Sequence, residues 1–463
     1  MSDRRLHAAD ALLPTGWAGN VLLEWNERGD LLAVTVGAPR PDGVAGAAGP
    51  VVPGIPNVHS HAFQRAFAGL AEFRGSSDDS FWSWRERMYR VANAVTPDEL
   101  DAVATWLFVE MLEGGYTSVC EFHYLHNDHD GRPYADDTTL ASVLIQAAAR
   151  TGLGGTLLPV LYQQGGFGGM TASDEQRRFV RSTDTLLRLI ETMRRVCDHP
   201  SARVGLAVHS LRAVTPQALQ HVLLGLDGQD RSAPIHVHVA EQQREVDECL
   251  AWSGQRPVAW LLDHAPVDQR WCLVHATHLR TDETRRAAAT GAIAGLCPTT
   301  EANLGDGIFD WPAWTGDGHG RWGVGSDSHV TVNAADELRL LEYSQRLRTG
   351  RRNVAATPGQ PHVATALTLA AVAGGAAAAG RPVAGLMPGQ RADFVVLDGA
   401  HPLIAALPAP DALDAHVFAS HRASAIAAVV VGGRVVVQDG QHPLHAGAAA
   451  AFVAARAALL ARL

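Results

Sequence analysis

Two histidines one residue apart mark the part of the chain that could do chemistry. His59 and His61 close an apolar run that begins at Pro53, and this run predicts a short buried strand. On a strand, positions i and i+2 face the same side, so both imidazoles point in one direction. Neutral imidazole nitrogen binds zinc and similar divalent ions. The pair predicts half of a metal site, although two hydrogen-bonded core histidines would give the same pattern.

Histidines and carboxylates recur at the ends of further apolar segments. These ends are residues 58–61 (VHSH), 121–124 (EFHY), 208–212 (VHSLR), 236–241 (HVHVAE), 274–278 (VHATH) and 325–329 (GSDSH). Histidines scattered through a core would not favour one end of the strands. The location of these residues at one end of the strands therefore favours one shared site over a set of unrelated core residues.

The elements that must position these residues alternate between short apolar strands and helical segments. That alternation is typical of a parallel sheet wrapped by helices. The predicted strands end near His61, Phe122, Tyr162, His209, Ala240, Ala276, Cys297 and Asp327. Eight such strands close a (β/α)8 TIM-type barrel, whose catalytic residues lie at the carboxyl ends of the strands. Capping residues at Thr96 and Thr215, each followed by proline, predict two of the helix starts.

Both ends of the chain predict strands without nearby partners. Hairpins are expected around residues 26–30 and at Gly432-Gly433, and a further strand over 392–398. Pairing the two ends would cover their exposed edges. We therefore expect a small β-sandwich domain from residues 1–53 and 386–445, a barrel over 54–385, and a C-terminal helix over 446–463.

Composition excludes several classes of function. The net charge is -10, which argues against a nucleic-acid partner because phosphate contact needs a concentrated basic face. All 38 basic residues are arginine. Without lysine the chain cannot form a Schiff base with pyridoxal phosphate, build a P-loop, or bridge two metals with a carboxylated lysine.

The five cysteines are dispersed and form no CxxC pair, which indicates a reducing compartment. The N-terminus has no apolar signal segment, and the longest uncharged run, 363–380, is too rich in Ala, Gly and Thr to span a membrane. We expect a cytoplasmic protein without a membrane partner. A homodimer is expected because it is the commonest assembly.

The strand-end residues together resemble the amidohydrolase superfamily. The resemblance rests on His59-x-His61, His238-x-x-Glu241, His275 and Asp327, and on a return to strands at 388–398. Four stretches, 59–72 (HSHAFQRAFAGLAE), 121–126 (EFHYLH), 271–279 (WCLVHATHL) and 298–307 (PTTEANLGDG), are more specific. They resemble the deiminases of histidine degradation, which act on the linear amidine of N-formimidoyl-L-glutamate.

The resemblance implies one divalent metal per subunit, bound by His59, His61, His238 and Asp327. Zinc is expected, while Fe²⁺ and Mn²⁺ suit the same donors. Glu241 would move protons between water and the departing nitrogen, and His275 with Asp327 would hold the attacking oxygen. His236, one layer deeper, is expected to pack beneath the site. A second metal is not expected, because strand four carries His209 where binuclear relatives carry lysine.

A substrate with two carboxylates calls for guanidinium partners. The resemblance assigns Arg85 and Arg212 to this role, and it places Gln64, Tyr124 and His209 in the same pocket. The segment 165–169 (GGFGG) could be a moving lid or only a flexible loop. Two alternatives stay open: a related deaminase acting on a purine or other heterocycle, and an inactive barrel used for binding or assembly.

Overall fold

The computed structural model describes residues 4–73, 80–197, 200–316, 320–419 and 425–463. Within these ranges the strands are β1 (Arg5–Leu13), β2 (Gly16–Trp25), β3 (Leu31–Thr35), β4 (Val51–Pro53), β5 (Ile55–Ser60), β6 (Tyr116–His123), β7 (Gly154–Leu161), β8 (Gln164–Gly166), β9 (Met170–Thr171), β10 (Ala202–Val204), β11 (Leu206–Ser210), β12 (Ile235–Val239), β13 (Trp271–His275), β14 (Ile293–Leu296), β15 (Arg321–Val324), β16 (Phe394–Leu397), β17 (Ile426–Val431) and β18 (Arg434–Gln438).

The α-helices in the same ranges are α1 (Phe81–Ala94), α2 (Pro97–Glu113), α3 (Thr139–Thr151), α4 (Thr183–Val196), α5 (Pro216–Gln229), α6 (Gln243–Ser253), α7 (Pro257–His264), α8 (Thr281–Ala289), α9 (Pro298–Leu304), α10 (Trp311–Thr315), α11 (Ala334–Thr349), α12 (Val363–Ala379), α13 (Ala409–Phe418) and α14 (His445–Leu460). Short 3-10 helices cover Ala62–Phe67 and Asp174–Gln176.

Eight parallel strands of the described chain form the predicted barrel, in the order β5, β6, β7, β11, β12, β13, β14 and β15. The first and last strands meet through a parallel bridge between Ser60 and Asp327. The Asp327 amide donates to the His59 carbonyl at 3.0 Å, and the His61 amide donates to the Asp327 carbonyl at 3.3 Å. The barrel prediction is confirmed, and β15 ends at Val324, three residues before the predicted end.

Helices cover the outside of the barrel as the caps predict. The Thr96 side chain accepts from the Glu99 amide while the Glu99 carboxylate accepts from the Thr96 amide, which starts α2. At Gly374, α12 lies so close to β15 that an added Cβ would come within 1.8 Å of the Trp322 carbonyl oxygen. Glycine therefore allows this uncharged helix to pack directly on the barrel. No helix in the described ranges is long and apolar enough to cross a bilayer.

Strands from both chain ends form a second, seven-stranded sheet in the order β18-β17-β16-β4-β1-β2-β3. Both predicted hairpins are present, as β2–β3 and β17–β18, and both are antiparallel. Strand β4 joins the two ends, because it pairs with β1 on one side and with β16 on the other. The prediction of a small β domain built from both ends is confirmed in this sheet, while the domain boundaries stay a prediction.

Candidate active site

The barrel mouth collects the predicted donors from four strand ends. His59 lies in β5 and His61 directly follows it, His238 lies in β12, and His275 ends β13. Asp327 follows β15, and its φ of 42° is left-handed, as is the φ of 65° at His275. Such backbone costs about 1 kcal/mol or more in a residue with a Cβ. The strain falls where the chain turns these side chains inward.

Four of these side chains form a close cluster around His59 Nε2. His59 Nε2 lies 3.1 Å from His61 Nε2 and 2.9 Å from His238 Nε2. Asp327 Oδ1 lies 3.5 Å from His59 Nε2 and 3.3 Å from His61 Nε2. Ligands that each sit about 2.1 Å from a tetrahedral ion are about 3.4 Å apart. The contacts of His59 are of this size, and donor atoms within 4.8 Å of one another form two sets that share His59: His59, His61 and Asp327, and His59, His238 and His275. A single cation bound by all four predicted ligands stays a prediction.

The protonation of the histidines also fits a cation. His61 Nδ1 donates to the Phe122 carbonyl at 3.0 Å, and His238 Nδ1 donates to the His209 carbonyl at 2.9 Å. Each Nε2 therefore turns a lone pair toward this cluster. Burial lowers the pKa of His59, His61 and His238, which keeps the rings neutral. Neutral nitrogens beside a carboxylate are a donor set for a divalent metal.

Glu241 and His275 form an acid-base pair beside this cluster. Burial raises the pKa of Glu241 to about 7. Burial alone would lower the pKa of His275, but the carboxylates of Glu241, Glu301 and Asp327 raise it to about 10. His275 Nε2 lies 3.8 Å from Glu241 Oε1 and 3.7 Å from Asp327 Oδ2. Near pH 7 the pair thus offers a carboxylate that can accept a proton and an imidazolium that donates one.

Two further carboxylates support this pair, and the sequence did not point to either. Glu301 Oε1 lies 3.2 Å from His275 Nδ1. Glu245 accepts the backbone N–H groups of Ala240 and Glu241, both at 3.1 Å, and so fixes the strand end that carries Glu241. The four-residue spacing from Glu241 to Glu245 across the start of α6 was the available signal for Glu245. His236 lies deeper in the barrel, where its Nε2 donates to the Ala378 carbonyl at 2.8 Å.

A pocket of about 670 Å³, its open mouth included, leads to these groups. Ten of the eleven predicted site residues line it: His61, Gln64, Arg85, Tyr124, His209, Arg212, His238, Glu241, His275 and Asp327. His59, the eleventh, is fully buried beneath them. The structure therefore brings all of the predicted residues together. Gln64 Nε2 donates to the Tyr124 hydroxyl at 2.9 Å, and burial lowers the pKa of His209.

The two predicted arginines lie in this pocket without an ion-pair partner in the described chain. Arg212 is 8% exposed, and its Nε has no hydrogen-bond partner there. Burial alone would lower its pKa, but the charges of Glu245 and Glu241 raise it. The Arg85 guanidinium lies 4.4 Å from the Trp82 ring centroid and so stacks on an apolar surface. Both guanidinium groups are thus available to an anionic ligand.

The predicted lid segment is part of a small hairpin. Strands β8 and β9 pair antiparallel on either side of Phe167–Gly169, and Gln164 and Gly165 line the pocket. The hairpin therefore forms part of the pocket rim. Whether it moves stays an open prediction.

Comparisons with known proteins show which family this chain is similar to. Residues 51–436 match the model of the amidohydrolase family. The chain is 49% identical over 448 residues to the formimidoylglutamate deiminase of Pseudomonas aeruginosa, covering 97% of this chain and 98% of that protein. It is 27% identical over 353 residues to the 8-oxoguanine deaminase of the same organism, covering 75% of this chain and 74% of that protein.

Solved structures give the same likeness. A crystal structure of an amidohydrolase from Brucella melitensis superimposes with a TM-score of 0.93 at 47% identity, covering 99% of this chain and 100% of that one. A triazine hydrolase variant superimposes with a TM-score of 0.81 at 19% identity, covering 98% and 99% of the two chains. The second likeness concerns the fold alone.

Proposed function

The chain belongs to the amidohydrolase family, and from this premise we propose that it hydrolyses N-formimidoyl-L-glutamate to N-formyl-L-glutamate and ammonia. The formimidoylglutamate deiminase of Pseudomonas aeruginosa, 49% identical over nearly the whole of both chains, supports this substrate. One observation carries the proposal. Two arginines without an ion-pair partner line the same pocket as the His/Asp donor cluster.

The arginines account for the class of substrate. Arg212 is 8% exposed and makes no ion pair in the described chain, and a buried charge without an ion-pair partner is unfavourable. A ligand carboxylate would supply the missing partner through charge-assisted hydrogen bonds. Arg85 offers a second guanidinium to the same pocket. Two guanidinium groups in one pocket favour a substrate that carries carboxylates, and a neutral heterocycle would leave both guanidinium groups unpaired.

His59, His61, His238 and Asp327 would hold one divalent ion, which we propose to be zinc. Three neutral nitrogens with one carboxylate oxygen are a zinc donor set, and Fe²⁺ and Mn²⁺ are accommodated by the same atoms. When bound, such an ion supplies Lewis acidity that brings the pKa of water to about 7. Metal analysis of the purified protein decides between the three ions.

Protein side chains carry the proton transfers. Glu241 takes a proton from the water whose oxygen adds to the amidine carbon and passes it to the terminal nitrogen. The second proton of that water follows by the same route as the C–N bond breaks, so the nitrogen departs as ammonia and the oxygen becomes the formyl carbonyl. His275 donates from Nε2 to the oxygen side of the tetrahedral carbon, where negative charge develops. One C–O bond forms, one C–N bond breaks, and the formyl group stays on the glutamate nitrogen. Asp327 Oδ2 faces His275 at 3.7 Å and helps to fix its direction.

Ammonia release from candidate substrates tests the proposal against its alternatives. Purified metal-loaded protein should release ammonia from N-formimidoyl-L-glutamate at a kcat/KM at least about 10³-fold above that for guanine or 8-oxoguanine. Preference for a heterocycle would make the chain a purine-type deaminase. No turnover of any of these compounds would favour an inactive barrel, an outcome opposed by the presence of Glu241 and all four metal donors. The predicted homodimer and cytoplasmic location are part of this proposal and rest on the sequence.

A further inference from the structure

A glutamine behind the pocket wall contacts two tyrosines at once. Gln176 Nε2 lies 3.0 Å from the Tyr89 hydroxyl oxygen and 2.7 Å from the Tyr162 hydroxyl oxygen. Tyr89 and Tyr162 line the pocket, whereas Gln176 lies outside its lining and is 4% exposed. None of these three residues takes part in the metal cluster or in the proton transfers described above.

The orientation of the glutamine amide follows from its other contact. Gln176 Oε1 accepts the backbone N–H of Ser173 at 2.8 Å. The oxygen of the amide is therefore committed to Ser173, and the NH₂ group must face the tyrosines. Since an NH₂ group carries two hydrogens, it can donate one to each hydroxyl oxygen. Both phenol oxygens thus act as acceptors toward Gln176.

The O–H protons of Tyr89 and Tyr162 are not used in their hydrogen bonds with Gln176. Each tyrosine still has its own O–H proton, because Gln176 donates to both and accepts from neither. The two hydroxyls can share one hydrogen bond between themselves, which uses one of the two protons. At least one O–H donor remains, and both tyrosines line the pocket. Tyr124 differs, because its hydroxyl accepts from Gln64 and also has Met88 Sδ within 3.7 Å.

The same wall carries the unpaired arginines. The Arg85 guanidinium lies 5.5 Å from the centroid of the Tyr89 ring. Burial raises the pKa of Tyr162, and the charges of Arg212 and Arg85 act on its hydroxyl in the opposite sense. Two cations and at least one hydroxyl that can donate therefore lie together on this wall. A carboxylate, which only accepts, is the complementary ligand.

We infer that Tyr89 and Tyr162, with their oxygens held by Gln176, form a hydroxyl pair that binds one carboxylate of the substrate beside Arg85 and Arg212. This inference deepens the proposed function and rests on it for the identity of the substrate. The hydroxyl pair distinguishes the two ends of a dicarboxylate, because hydroxyl donors with fixed directions add geometric selectivity to the charge of the arginines.

Removing the hydroxyls one at a time tests the inference. Tyr89→Phe and Tyr162→Phe keep the rings and should raise KM for N-formimidoyl-L-glutamate, by about 10-fold or more for at least one of the two variants, with kcat within about 2-fold of wild type. Tyr343→Phe on α11 is the matched control, since Tyr343 is 37% exposed and does not line the pocket. An unchanged KM in both pocket variants would overturn the inference.

Truncated substrates show which group the hydroxyls contact. N-formimidoyl-4-aminobutyrate lacks the α-carboxylate, and N-formimidoyl-2-aminobutyrate lacks the γ-carboxylate. The KM penalty of the Phe variants should persist with one of these compounds and vanish with the other. An equal penalty with both would mean that the hydroxyls act on the fold of the pocket and not on a carboxylate, which also overturns the inference.

Binding of the product separates this inference from the proposed function. Calorimetry with N-formyl-L-glutamate needs no turnover, and the Phe variants should weaken its affinity by about 5-fold or more. Failure of the wild-type protein to release ammonia, with product binding and its tyrosine dependence intact, would remove the deiminase proposal and leave the carboxylate subsite standing. Wild-type affinity in both Phe variants, or no binding by the wild-type protein, would remove the subsite.

Discussion

Glu301 Oε1 lies 3.2 Å from His275 Nδ1 and 2.8 Å from the backbone nitrogen of Cys297, so one carboxylate oxygen contacts both groups. The contact requires the proton on Nδ1 to face Glu301, and it turns Nε2 toward Glu241 and Asp327. A side chain at the start of α9 thus sets the direction of a ring at the end of β13.

Two substitutions of Glu301 should distinguish the effect of its hydrogen bonds on the orientation of His275 from the effect of its negative charge. Glu301→Gln keeps an oxygen that can accept both hydrogen bonds, and we expect kcat to fall by about 10-fold because the imidazolium loses its counter-charge. Glu301→Ala removes the acceptor as well, and kcat should fall by about 10²-fold or more with little change in KM. Steady-state kinetics, with the exposed Glu191→Gln as the matched control, measures both. Wild-type kcat in Glu301→Ala would show that the contact plays no part in turnover.

Glu241→Gln should remove the proton carrier while leaving the metal donors in place. The amide cannot accept the proton of the water, so kcat should fall by about 10²-fold or more. Metal content and thermal stability should stay near those of wild type, because Glu241 contributes no donor to the cluster. A near-wild-type rate with full metal content would exclude Glu241 from the mechanism.

The pH dependence of kcat/KM should show an acid limb. The pKa of the Glu241 carboxyl is raised to about 7, and the group must lose its proton before it can accept one from water. A bound cation favours the charged carboxylate, so the limb should lie at about pH 5 to 7 and fall toward acid. Glu241→Gln should lack the limb. A flat wild-type profile over this range, with metal content constant, would contradict the role given to Glu241.

Arg212→Ala should weaken the binding of the dicarboxylate. Loss of a buried guanidinium that pairs with a carboxylate should raise KM by about 30-fold or more, and kcat should change less. Arg188→Ala on the exposed face of α4 is the matched control. If both variants have the same KM as wild type, the carboxylates bind elsewhere.

The sequence predicts the parts of the site that obey local rules. The spacing of His59 and His61, and that of His238 and Glu241, is set within single strand ends, so each pair can be recognised from residue order. Closure of eight parallel strands then brings these ends to one face. For the same reason the caps at Thr96 and Thr215 gave correct helix starts.

Contacts between loops and helices that are distant in the chain could not be predicted from the sequence. Glu301 reaches His275 across 26 residues, and Gln176 joins Tyr89 and Tyr162 across 87 and 14 residues. No periodic pattern encodes such contacts, because they depend on how loops of different length fold over the barrel mouth. The left-handed backbone at Asp327 lies where the first and last barrel strands meet, and the residue order does not reveal that junction.

Product identity tests the central claim most directly. N-formimidoyl-L-glutamate has two C–N bonds at the amidine carbon, and the proposed hydrolysis breaks only the bond to the terminal nitrogen. Proton NMR of the completed reaction should show N-formyl-L-glutamate and ammonium in a 1:1 ratio, with no formamide. Formamide and L-glutamate as products, or unchanged substrate with fully metal-loaded protein, would contradict the account.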